Sequence, residues 1–166
     1  GRSHLTEGDA KSTERAVALF TAALRRLDAV EKTGAVAPEL RVRLLNWLGR
    51  ARSSGPAGPT RNLAAARAAF AKSFDVALDG GLDVNDAVVS AEQALRCRAG
   101  LGDLRLAGVE AGQFYDRLLA SKRIDPLNAA AALSAELQRS AADMGTAGVA
   151  PSVVALWDRV ATSLAK

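Results

Sequence analysis

The strongest constraint on this chain is its punctuation. Proline stands at positions 38, 126 and 151, each just ahead of a segment whose apolar residues recur every three or four positions. Glycine stands at 34, 80, 81, 100, 102 and 145, just past the ends of such segments. Proline lacks the N–H that a first helical turn leaves unpaired anyway, and glycine accepts the left-handed backbone that closes a helix. The pattern therefore marks where helices start and stop. No segment alternates β-branched and polar residues with period two, so no sheet is predicted.

This spacing predicts an all-α chain with helices over about 9–33, 38–52, 61–79, 86–99, 103–121, 126–144 and 151–165. Six to seven such helices pack as an up-down helical bundle or a short array of helical hairpins. The predicted inward faces include Val17, Phe20, Leu24, Leu27 and Val30 in the first helix, and Leu40, Leu44, Leu45, Trp47 and Leu48 in the second. Phe70 and Phe74, Leu95, Phe114, Tyr115 and Leu118, then Val153, Leu156, Trp157, Val160 and Leu164 continue the core along the chain. Thr60, Asp83 or Asn85, Asp103 and Asp125 are placed to accept the free N–H groups of helix starts. Gly108 and Gly112 share one face of the fifth helix, where each costs about 1 kcal/mol relative to alanine, so a close helix crossing is predicted there.

At 166 residues the chain fits one domain able to bury most of its apolar surface. The domain is predicted over 9–166, with a Gly/Pro loop at 53–60 between the first and second hairpins. Residues 1–8, which open Gly1-Arg2-Ser3-His4, read as a disordered segment or an expression scar. No run of 18 apolar residues occurs, so no transmembrane segment is predicted. A lone cysteine, Cys97, and no secretory leader pattern predict an intracellular, cytoplasmic protein.

Two segments echo each other: Thr21-Ala22-Ala23-Leu24-Arg25-Arg26 lies over Ser134-Ala135-Glu136-Leu137-Gln138-Arg139, with Val36-Ala37-Pro38 over Val149-Ala150-Pro151. Ala-rich helices also match one another by composition. Ala16, Phe20, Ala23 and Leu24 have a spacing that resembles the second helix of a tetratricopeptide repeat. The Trp-x-x-Leu-Gly that opens such a repeat does not precede them, and no family follows.

Catalytic and metal-binding motifs are missing. The single histidine, His4, lies in the leading segment, and one cysteine builds neither a disulfide framework nor a Cys/His zinc site. Asp103 and Glu110 read as solvated surface, and Lys32-Thr33-Gly34 lacks the glycines of a phosphate loop. No cofactor and no metal are predicted, and the chain is read as not an enzyme.

Charge is the more informative property. Residues 1–83 hold 13 basic and 9 acidic side chains, whereas residues 84–166 hold 9 of each. The surplus concentrates between Leu40 and Phe74, which carry Arg41, Arg43, Arg50, Arg52, Arg61, Arg67 and Lys72 and no Asp or Glu. These seven are the candidate partner-binding residues, since guanidinium groups recognise carboxylates and phosphates in forked geometry. The favoured function is a non-catalytic protein-interaction module or adaptor whose basic face meets an acidic protein. A second reading uses the same face for nucleic acid or an anionic membrane surface, and a third is a small-ligand-binding or catalytic bundle without a visible motif. Base-stacking aromatics are not interleaved with the arginines, and Trp47 is the one large apolar residue among them suited to a membrane surface.

Overall fold

The computed structural model describes residues 2–31, 37–54, 62–145 and 150–165, with the backbone alone for 2–9 and 150. The described chain is helical: α1 (Arg2–Glu31), α2 (Pro38–Ser53), α3 (Leu63–Asp79), α4 (Val84–Gly100), α5 (Leu104–Ala120), α6 (Pro126–Asp143) and α7 (Ala150–Leu164). No strand occurs among the described residues. Helix α1 begins at Arg2, inside the stretch that the sequence set apart as 1–8.

The capping chemistry accounts for most boundaries. Asp83 accepts from the N–H of Asn85, Asp103 from Leu106, and Asp125 from Leu127 and Asn128, so three carboxylates fix the starts of α4, α5 and α6. For α3 the capping side chain is Asn62, which accepts from Ala65 N–H at 2.8 Å, and the helix opens at Leu63. The expected cap Thr60 and the expected stop Gly34 lie outside the described residues. Gly81, Gly102 and Gly145 take positive φ at the ends of α3, α4 and α6, as a left-handed stop requires.

Helices α1 to α4 lie side by side in chain order, each antiparallel to the last. In the α2–α3 hairpin the Asn62 N–H donates to the Arg52 carbonyl, and the Ser73 hydroxyl reaches the Val42 carbonyl at the far end. Helix α5 packs on α4, α6 on both α4 and α5, and α7 on α5 and α6. A row of hairpins thus passes into a bundle, with α4 belonging to both.

The densest packing is in α3 to α7, where Phe70, Phe74, Leu95, Tyr115, Leu118, Leu133, Leu137 and Leu156 are all but fully enclosed. Alanines at 66, 77, 87, 91, 94, 107, 111, 129 and 130 have no exposed surface. Each buries little area, but together they let backbones approach closely. Gly49 does the same between α2 and α3: a Cβ there would stand 2.6 Å from the Phe70 ring. Gly108 passes against Ser152 of α7 and Gly112 against Arg159, which is the crossing the two glycines predicted. Cys97 is buried.

Helices α1, α2 and α7 depart from the predicted core. Among its described side chains α1 buries only Leu27, and Val30 is exposed. Leu40 and Trp47 of α2 and Trp157 and Leu164 of α7 were expected inward and are exposed as well. Helix α1 ends the row and has a neighbour on one side only, whereas α2 lies between α1 and α3 and α7 rests on α5 and α6. On each, an apolar stripe wider than those contacts is left partly in solvent.

Candidate functional site

The seven candidate cations separate into three groups once the fold is assembled. Arg41 is 8% exposed and lies at the α1–α2 contact, where it donates to Asp28 at 2.7 Å and Glu31 at 2.5 Å. Arg67 forks onto Glu110 of α5, with its Nε donating at 3.1 Å. Arg52 donates to the Ala65 carbonyl at 3.3 Å, across the mouth of the α2–α3 hairpin. These three tie helices together, so a single basic surface containing all seven does not form. Arg61 lies outside the described residues. Arg43, Arg50 and Lys72 are exposed, and no carboxylate among the described residues lies within ion-pair distance of them.

Two carboxylates that pair with arginines, Glu110 and Glu136, are buried, contrary to the expectation for Glu110 as solvated surface. Glu110 is 6% exposed and is shared by Arg67 and Arg98, joining α3, α4 and α5. Glu136 is 1% exposed and receives a fork from Arg96 at 2.9 and 2.8 Å, Arg139 at 2.6 Å and the Ser140 hydroxyl at 3.1 Å. A buried carboxylate needs such company, because leaving its charge unpaired would cost several kcal/mol. Glu92 lies beside this group, and burial first, then the Glu136 charge, pushes its carboxyl above the ordinary glutamate range. The Glu136 hydrogen bond raises the Arg96 pKa. The Glu136 group holds α4 against α6.

Arg43 and Arg50 flank one member of an aromatic pair. Trp47 of α2 is 51% exposed and rests on Phe20 of α1, ring centroids 5.6 Å apart and planes tilted by 46°. Arg43 precedes Trp47 by four residues and Arg50 follows by three, so all three share one side of α2. Leu40 and Ser54 extend that exposed stripe at either end. Phe20, Trp47, Arg50, Ala51 and Ser54 line a shallow recess of about 410 Å³. Ser73 reaches Val42, which sets Lys72 of α3 at the height of Arg43. Glu39, one turn before Arg43, bounds the cationic stripe.

The sequence marks Arg43 and Arg50 as candidates and places Trp47 in the core, whereas the structure leaves it 51% exposed. The residues three and four away from position 47 are Arg43, Leu44, Arg50 and Ala51, so Trp47 stands at the border of the apolar stripe and the local pattern fits either side. The internal roles of Arg41 and Arg67 depend on Asp28, Glu31 and Glu110, residues 10 to 43 positions away, and leave no local mark.

Among the described residues no group of three His, Cys, Asp or Glu side chains is placed to hold a metal ion, and no helix is long and apolar enough to cross a membrane. Comparison with protein-family models, with curated proteins and with solved structures gives no match.

Proposed function

We propose that this chain is a non-catalytic protein-interaction module that docks an acidic partner on the exposed face of α2. The observation that carries the reading is Trp47, half exposed on Phe20 and flanked by Arg43 and Arg50 without internal counter-ions among the described residues. Aromatic and arginine side chains dominate the energy of protein interfaces, because one buries a large rigid surface and the other makes forked bonds to carboxylates. Arginines at the margin of such a contact chiefly raise the association rate and select partners by charge.

Nucleic acid is a weaker fit. Binding to a phosphate backbone draws on many cations at once, and Arg41 and Arg67 are engaged by carboxylates inside the fold while Arg52 bonds the Ala65 carbonyl. An anionic membrane surface favours a broad apolar face beside its cations. Here the exposed apolar residues of α1 and α2 are Leu19, Val30, Leu40 and Trp47, with part of Phe20, on helices that also carry exposed Glu31 and Glu39. Affinity capture from native extract, comparing wild type with the double variant R43E/R50E, tests the reading. The variant should keep its helical content and lose specific acidic partners. Retention of the same partners by the variant would overturn it, as would binding of random-sequence DNA or RNA that weakens steeply with salt.

A further inference from the structure

Resting on that docking face, the geometry points to the kind of segment it receives: an amphipathic helix of the partner with Asp or Glu at positions i and i+7 and a large apolar residue at i+3 or i+4. Arg43 and Arg50 are seven residues apart on one helix, which places their Cα atoms about 10 Å apart along its axis. Between them stands the half-exposed ring of Trp47, and the shallow recess lined by Phe20, Trp47, Arg50, Ala51 and Ser54 lies at the Arg50 end of that stripe. The surface therefore reads cation, exposed indole, cation. Its complement is carboxylate, apolar side chain, carboxylate, at the same seven-residue rise.

The helical form of the ligand follows from what α1 and α2 offer it. Both are helices with their backbone groups satisfied internally, so they present no free edge onto which an extended strand could add hydrogen bonds. A helix brings its own backbone pairing and needs only side-chain contacts. Residues i, i+3, i+4 and i+7 of a helix lie on one side, which matches the order of groups on α2. Guanidinium groups are suited to hold the carboxylates in forked pairs.

The test is selection from a displayed library of Ala-rich helical peptides randomised at i, i+3, i+4 and i+7, carried out on the wild-type chain and in parallel on R43E/R50E. Wild type should enrich Asp or Glu at i and i+7 with Leu, Ile or Phe between them, and R43E/R50E should enrich Lys or Arg at those positions. Binding of a synthesised wild-type winner, followed by fluorescence anisotropy at physiological salt, should fall at least tenfold on R43E/R50E and on W47S. Circular dichroism of both variants establishes that they fold. Winners that lose binding on the variants but lack the acid–apolar–acid spacing would overturn this recognition pattern and leave the docking face standing. Winners indifferent to all three substitutions, or no enrichment, would overturn the pattern, the former removing the docking face with it. Tighter binding of random-sequence oligonucleotides or phosphatidylserine vesicles than of any winner, with the same sensitivity to R43E/R50E, would assign the face to a polyanion instead.

Discussion

Gly108 of α5 and Ser152 of α7 cross so closely that a Cβ built on the glycine would fall inside the van der Waals envelope of the serine Cβ and Oγ. The contact pins the last helix onto the bundle, with Tyr115 and Ser163 hydroxyls 3.1 Å apart further along the same pair of helices. The glycine's cost in helix propensity is offset by this approach. Alanine at 108 gains about 1 kcal/mol of intrinsic propensity yet must push α7 away, and overpacking of this kind costs about 1–3 kcal/mol or more.

Gly108→Ala is therefore expected to destabilise the protein by about 1–2 kcal/mol net in denaturant unfolding, the overlap outweighing the propensity gain. Ser152→Gly in the same chain removes both atoms that the new Cβ would meet. The double variant should recover more stability than the sum of the single changes allows. Additive single effects would show that the two helices are not in forced contact.

Arg41 predicts a local effect rather than a global one. It binds Asp28 and Glu31, half-exposed carboxylates near the end of α1, and Leu27 is the described α1 side chain buried beside them. Arg41→Ala should loosen α1 while α4 and α6 stay intact, because α1 lies at the edge of the row. Amide exchange in α1 is expected to speed up roughly tenfold, equivalent to about 1.4 kcal/mol. Unchanged α1 exchange would mean that Leu27 and the α2 leucines hold the helix without the ion pair.

Glu92 gives a pH dependence of definite sign. Burial and Glu136 raise its folded pKa above the ordinary value of 4.5, with Arg139 and Arg96 opposing the shift. The folded state then binds this proton more tightly than the unfolded state, so ionising Glu92 costs stability. That cost is absent below the unfolded pKa, grows as pH rises through the window up to the folded pKa, and is complete above it. Glu92→Gln should raise the thermal midpoint at neutral pH and leave it nearly unchanged at pH values below the ordinary glutamate range. An equal effect at both would assign the change to packing rather than to charge.

The legibility of this chain in its sequence follows the range of the forces involved. Helix starts at Asp83, Asp103 and Asp125 and stops at Gly81, Gly102 and Gly145 rest on bonds spanning two to four residues, and they could be read directly. The Gly108 and Gly112 crossing was readable because two glycines on one helix face have few other uses. Long-range pairings were not. Whether Arg67 belonged to a surface or to Glu110, and whether Glu136 was solvated or enclosed by Arg96, depended on which helices become neighbours. Trp47 was misplaced for a related reason: its apolar character suggested the core, but α2 meets α1 at an edge that covers only one face of the ring.

The two tryptophans provide an internal control for the docking face. Trp47 and Trp157 are 51% and 40% exposed, on α2 and α7 respectively. Trp157 lies on a stripe with Val154 and Leu164, and the arginine two residues after it is bound to Asp116. The most direct measurement is hydroxyl-radical oxidation of both indoles, read by mass spectrometry, in the free protein and in complex with a partner captured from native extract. Oxidation of Trp47 is expected to fall several-fold in the complex while that of Trp157 stays at its free value. Protection of Trp157 with Trp47 unchanged, or no protection of either, would contradict docking on the Arg43–Trp47–Arg50 face.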